Sequence, residues 1–321
     1  MFTRRVALAG ATAALGLAAS RAALAEQLFQ SLFIFVPAGP GGGWDGLARA
    51  IELVARPAGL VGSFQFENVG GAGGMVGLPR FVSSRRGRPD ALMTGGAIMV
   101  GAALTNRSPV SVRDVTPVAR LTEEAGAIVV PADSEFRDVR GFLDALSANP
   151  GAVSVAGGSA GGIDHITLGI ILASLGKSAR QASYVAMQSG AQVATAIMGA
   201  QVKAAISGWS EFSEQIKAGR MRVLATTGGH RNDPNVPTLK DSGLDIVTTN
   251  WRGVWGAPGI TPAARKNLVD LMIAIHRLPA WGELLKTRGW DDAFLPGDEF
   301  SQFIESDYKS TEKILKEIGL V

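Results

Sequence analysis

The chain has 321 residues, 46% apolar and 18% charged, which fits one large or two medium domains with true cores and excludes a disordered polymer. Of its 31 Lys and Arg, three (Arg4, Arg5 and Arg21) fall in residues 1–25 with no acid beside them, leaving 28 to balance 28 Asp and Glu. That balance argues against nucleic acid as a partner, and the absence of cysteine excludes disulfides, thiolate catalysis, cysteine-based metal sites and a lipidated cysteine.

Residues 1–25 have the parts of a cleavable export signal. Arg4-Arg5 form the charged start, residues 6–19 an Ala/Gly/Leu-rich middle, and Ala23-Leu24-Ala25 a small-residue cleavage site. The apolar run is shorter than the roughly 20 residues that span a bilayer. Thr3-Arg4-Arg5 and Arg21 near the cut fit twin-arginine export as well as the general route. The expected mature chain is soluble and lies outside the cytoplasm.

From Leu32 onward, short apolar runs alternate with helical patterns, the signature of an α/β architecture. Phe33-Ile34-Phe35-Val36 reads as a buried strand. The helix after it sets Trp44, Leu47, Ala48, Ile51, Val54 and Ala55 on one stripe. A strand over 63–67 leads through NVGGAGGMVG into a helix with Leu78, Phe81 and Val82. A third strand, Ala91-Leu92-Met93-Thr94, leads through Gly95-Gly96 into a short apolar helix.

A second series begins near Ala127. Ile128-Val129-Val130 is a strand, 139–146 a helix, and Val153-Ser154-Val155 a strand running into GGSAGGIDH and a helix over 164–175. Tyr184-Val185 is followed by a helix over 191–198, and 202–206 by Ser207-Gly208-Trp209. Arg120 to Gly126 and Thr226 to Asn250 read as crossings between lobes. The chain resumes with Val254-Trp255-Gly256, a helix starting at Thr261-Pro262, and a last helix from Asp298 that buries Phe300, Phe303, Ile304, Ile314 and Leu315. The expected organisation is one lobe from 26–122 plus 250–321 and another from 123–249, each a mostly parallel sheet flanked by helices, with a hinged cleft between.

The loops 37–46, 70–75, 157–163 and 187–191 open helices, are rich in glycine and hold no Lys or Arg. A nucleotide loop of the G-x-x-x-x-G-K-[ST] type is therefore absent. Gly71-Ala72-Gly73-Gly74 is a weak dinucleotide signal, because Asp90 precedes the strand that a ribose-binding acid should follow. Gly157-Gly158-Ser159-Ala160-Gly161 matches a hydrolase's G-x-S-x-G elbow, with His230 and His276 as possible partners of Ser159, but no oxyanion segment precedes it. An exported serine hydrolase is the alternative reading. His165, His230 and His276 lack metal-ligand spacing, and His165 reads as a structural residue beside a helix start. What remains is backbone N–H groups at helix N-termini, carrying about +0.5 charge each and suited to an organic anion. One such end contributes about 0.3–2 kcal/mol. Micromolar affinity needs about 8 kcal/mol, so two facing loops are required. A turn with no chemistry stays open for any single loop.

The segments VPAGPGGGWDGLAR, ENVGGAGGMVGL, TPVARLTEEAGAIVVPADSEF, NPGAVSVAGGSAGGIDHITLG, YVAMQSGAQVATAIMGAQV, VPTLKDSGLD and NWRGVWGAPGIT, in this order, span nearly all the mature chain. The sequence resembles the solute-binding proteins of tripartite tricarboxylate transporters, also known as the Bug family of periplasmic binding proteins. The resemblance implies a two-lobed periplasmic-binding-protein fold of type II. It implies a monomer without cofactor or metal that hands a small carboxylate unchanged to a membrane permease. It also implies two pincers on that carboxylate, Gly42, Gly43, Trp44 and Asp45 in one, and Gly158, Ser159, Ala160, Gly161 and Gly162 in the other. Gly74, Ala97, Gln188, Ser189 and Ser207 would line the rest. Asp45 reads either as a cap of its helix or as an acceptor for a ligand hydroxyl or water. Trp44 reads as core or as pocket wall, and Arg49 and Arg252 are the nearest counter-charges. Ala160 and Gln188 stand where a trianion would want a basic side chain, so a mono- or dicarboxylate fits at least as well as citrate.

Overall fold

The computed structural model describes residues 27–321, so the export signal lies outside the described residues. The first series runs β1 (Phe29–Val36), α1 (Gly43–Ala55), β2 (Val61–Asn68), α2 (Gly77–Ser84), β3 (Ala91–Gly96), α3 (Ala97–Thr105) and β4 (Thr116–Glu123). The second runs β5 (Gly126–Pro131), α4 (Val139–Ala148), β6 (Ser154–Gly157), α5 (Ile163–Ser174), β7 (Ser183–Ala186), α6 (Gly190–Met198), β8 (Ala204–Gly208), α7 (Trp209–Lys217) and β9 (Met221–Thr226). The chain then returns through β10 (Arg252–Gly256), α8 (Pro262–His276), α9 (Pro279–Arg288), β11 (Asp291–Pro296) and α10 (Asp298–Glu317).

One sheet has the order β11-β4-β10-β3-β1-β2, the other β7-β6-β8-β5-β9. Both sheets are mixed, with most strands of each running one way. β1 pairs parallel with β2 and β3, and β6 with β7 and β8. β10 and β11 run antiparallel to their neighbours, and so does β5. The cause is where the chain enters each lobe. β10 starts with Arg252 opposite Gly96 and Thr122, and β5 with Gly126 opposite Gly208, at the edge where the other strands end. A strand that enters at that edge has to run away from it. The first crossing is also shorter than expected, because β4 continues to Glu123 inside its sheet.

Helix α1 buries the stripe read from its sequence, with Trp44, Leu47, Ala48, Ile51, Val54 and Ala55 against the first sheet's Phe35 and Leu92. Ile128, Val130, Val155, Leu168, Ile171 and Ile206 form the main core of the second lobe. Burying each such side chain contributes about 1.5–3 kcal/mol. Helix α10 seats Phe300 and Ile304 in the first core, but Leu315 and Ile318 at its far end pack on Ile166 and Ala179 of the second lobe. The C-terminal segment therefore bridges both lobes. Among the described residues, no helix is long and apolar enough to cross a membrane.

Candidate functional site

The carboxyl ends of β1, β3, β6, β7 and β8 face one another across the gap between the sheets, the edge where open α/β sheets bind ligands. The cleft there is lined from the first lobe by Pro37, Ala38, Gly42, Gly43, Trp44, Gly71, Gly73, Gly74 and Ile98. The second lobe contributes Gly158, Ser159, Asp164, Met187, Gln188, Ser189, Gly190, Ser207 and Glu211, the end of the returning crossing adds Asn250, and the start of β10 adds Arg252. Its volume is about 50 Å³. A water needs about 10–15 Å³ on this measure, so the cavity as it stands has room for a few waters.

Gly42, Gly43, Trp44, Gly74, Gly158, Ser159, Gln188, Ser189 and Ser207 are thus brought to one cavity. Asp45, Ala97, Ala160, Gly161 and Gly162 are not among its lining residues. Asp45 is used by the protein itself, accepting from Gly41 N of its own loop at 3.1 Å and from Asn68 Nδ2 at the end of β2 at 3.0 Å, and caps no first-turn amide. Ala97 N donates to Trp251 O. Ala160 is exposed, its carbonyl accepting from Thr105 Oγ1 at 3.3 Å. Gly161 and Gly162 pack against α3 instead: a Cβ at Gly161, where φ is +76°, would lie 2.1 Å from Thr105 Oγ1, and one at Gly162 2.9 Å from Ile98 Cγ2. They let the lobes approach rather than line the cavity.

Part of the expected rows of free amides is taken up, because the protein supplies its own acceptors. Gly43 N donates to Glu211 Oε1 at 2.8 Å, Gly158 N to Asp164 Oδ2 at 2.8 Å, Gly161 N to His165 Nδ1 at 3.1 Å, and Gln188 N to Gln192 Oε1 at 3.0 Å. The Glu211 bond crosses from one lobe to the other and places a carboxylate on the N-terminus of α1, the electropositive position expected for a ligand. Among the described residues, the lining amides of Gly42, Trp44, Gly71 and Gly73 in the first lobe and of Ser159, Ser189 and Gly190 in the second make no hydrogen bond inside the protein, so free donors remain on each side of the cleft.

The floor is charged, which only Arg252 had suggested. Arg252 and Glu124 are 1% and 0% exposed and joined by a hydrogen bond from Nη2 to Oε1. Glu124 Oε2 also accepts from Ser210 N at 3.1 Å. Arg252 Nε and Nη1 are buried without a partner, as is Trp44 Nε1, so the indole serves as both core and wall. The guanidinium lies so close to Gly43 that a Cβ there would sit 2.4 Å from Nη2. Glu211 also accepts from Ser207 Oγ at 2.5 Å; burial pushes its carboxyl up, Arg252 pulls it down and Glu124 adds to the rise. Burial pushes Asp164 up to about 7 against the Gly158 bond, helped by Glu211 and Glu124 and opposed by Arg252. Arg49 lies outside the cleft, bound to Asp45 at 3.4 Å and stacked on Phe66.

The hydrolase constellation is not assembled. Among the described residues Ser159 Oγ makes no hydrogen bond, His230 pairs with Asp291 at 3.6 Å, and His276 with Asp292 at 2.9 Å. His165 stacks on Tyr184 with ring centroids 4.2 Å apart, and burial lowers its pKa to about 4, leaving it neutral. No group of three His, Cys, Asp or Glu able to hold a metal occurs among the described residues.

A two-lobed α/β chain with its polar cleft at the facing strand ends has the architecture of a periplasmic solute-binding protein. The sequence profile of the tripartite tricarboxylate transporter family receptor (TctC) matches residues 58–320, and the chain belongs to that family. It is 27% identical to the UPF0065 protein in the gbd 5'region of Cupriavidus necator, over 99% of this chain and 97% of that one. The periplasmic binding protein BugD superposes with a TM-score of 0.81 at 19% identity, over 90% of this chain and 98% of its own. MatC from Rhodopseudomonas palustris, solved with bound malate, gives a TM-score of 0.78 at 19% identity, over 89% and 98%.

Proposed function

We propose that this protein is an exported solute receptor that captures a small mono- or dicarboxylate between its lobes and passes it unchanged to a tripartite tricarboxylate-type permease. Residues 1–25 act as the signal that delivers it to the periplasm. It works as a monomer, with 26–122 plus 250–321 closing on 123–249 about the crossings. The observation that carries the reading is the buried Arg252 guanidinium, with two unpaired nitrogens, beside a cleft that offers free amides from each lobe. An incoming carboxylate satisfies these donors, and bonds to charged groups contribute about 1.5–3 kcal/mol each. Family membership and the malate in a protein of similar fold support the same class of ligand.

Isothermal calorimetry of the mature protein against acetate, lactate, succinate, malate, adipate and citrate tests this. At least one acid binds, and saturation at 100 times its Kd raises stability by about 2.7 kcal/mol. A panel without a binder rejects the reading, and covalent labelling of Ser159 by a fluorophosphonate would favour hydrolysis. Gly43→Val and Gly161→Val are each expected to weaken binding by about tenfold or more, 1.4 kcal/mol. The first displaces the guanidinium and the second drives α3 from α5. Unchanged affinity in both, measured on folded protein, would exclude closure around these turns.

A further inference from the structure

The cleft wall holds a second acid that the carboxylate reading does not use. Asp164, in the first turn of α5, is 4% exposed and lines the cavity. Its Oδ2 takes the Gly158 amide, and among the described residues its Oδ1 makes no hydrogen bond. Glu124 is held by Arg252 and Ser210, and Glu211 by Gly43 and Ser207; Asp164 has one donor only. The groups that face it are Glu124 from the β4–β5 link, Glu211 from α7, Arg252 from β10 and Tyr184 from β7. His165 follows it on α5, and α3 brings the uncharged Ile98. Tyr184 gives its hydroxyl to Gly158 O and not to Asp164. One guanidinium therefore serves three carboxyls before any ligand arrives.

A ligand carboxylate entering this space meets a like charge at the wall, which is unfavourable unless a proton lies between them. We propose that Asp164 is a specificity-determining residue that binds the ligand's carboxylate as the neutral acid, taking one proton from solvent on binding and donating it through Oδ1 as a hydrogen bond. The proton stays on the aspartyl oxygen and the ligand keeps its charge. The inference rests on the carboxylate-binding reading and adds that the species recognised is an anion plus a proton. A carboxylic acid held neutral in an apolar site is an effective donor to an oxyanion.

The test is calorimetry with the tightest acid of the panel at pH 8.0 in phosphate and in Tris, whose ionisation enthalpies differ. An Asp164 titrating near neutrality takes up between about 0.5 and 1 proton per ligand, and affinity falls by up to about tenfold per pH unit above pH 8. Asp164→Asn keeps a donor at the same place, so uptake drops to near zero and binding at pH 8.5 tightens by about tenfold. Asp164→Ala removes the donor and weakens binding at every pH. Wild-type binding without proton uptake, or the same uptake in Asp164→Asn, overturns the inference while leaving carboxylate binding intact. If no acid binds, the underlying reading fails and the inference falls with it.

Discussion

Arg252→Met is expected to lower stability by about 3–5 kcal/mol, the cost of stripping one partner from a buried ion pair. Glu124 is fully buried, and without Arg252 its only donor is the Ser210 amide. The residue also lies at the start of β10 between β3 and β4, so the damage reaches the strand that returns the chain to the first lobe. Thermal melts should show a fall of roughly 10 °C. Adding Glu124→Gln removes the stranded charge and should recover most of the loss. The double variant should nevertheless bind the acid about two orders of magnitude more weakly, because truncating a buried charged partner costs about 2–5 kcal/mol. A double variant that regains both stability and affinity would show the guanidinium to be structural only.

Asp164→Asn is expected to stabilise the ligand-free protein at pH 8 by up to about 4 kcal/mol and to leave it unchanged at pH 3. Burial is the main cause, raising the Asp164 pKa from 3.8 to about 7. A carboxyl whose folded pKa lies above its unfolded value contributes stability that is complete below the unfolded value. That contribution is lost as pH climbs through the folded one. The wild-type protein should therefore lose stability relative to the variant between about pH 4 and pH 7, and differ from it by a constant amount above. Urea titrations of both proteins at each pH read this difference directly. Parallel curves across the whole range would mean that Asp164 is ionised in the fold as it is in the unfolded chain.

Local features were legible in the sequence. The α1 stripe, the glycine turns at the strand ends and the Thr261-Pro262 helix start each depend on a few adjacent residues, and the fold keeps them. Strands with a mixed face were harder. β4 reads TPVARLTE and β11 reads DDAFLP, with polar residues that resemble loop chemistry until their partners are known. The charged floor was hidden for a different reason. Glu211 meets Gly43 across 168 positions and Arg252 meets Glu124 across 128, so neither pairing leaves a local pattern.

One signal could have exposed the acids. Asp45 and Asp164 each stand in the first turn of a helix that follows a strand and reach back to an amide of the loop before it, while Glu211, at the same place on α7, reaches back only to the Ser207 hydroxyl and crosses to Gly43 N. Read together, they say that some of the glycine-loop amides are satisfied from within. The ligand is then left with the donors that the acids do not take.

The most direct measurement is a crystal structure of the protein with its tightest acid. The carboxyl should lie between the lobes, about 2.7–3.2 Å from Arg252 or from the amide of Gly42 or Ser159. An acid seated outside the cleft, or inside it with no contact to any of these three, would contradict the assignment.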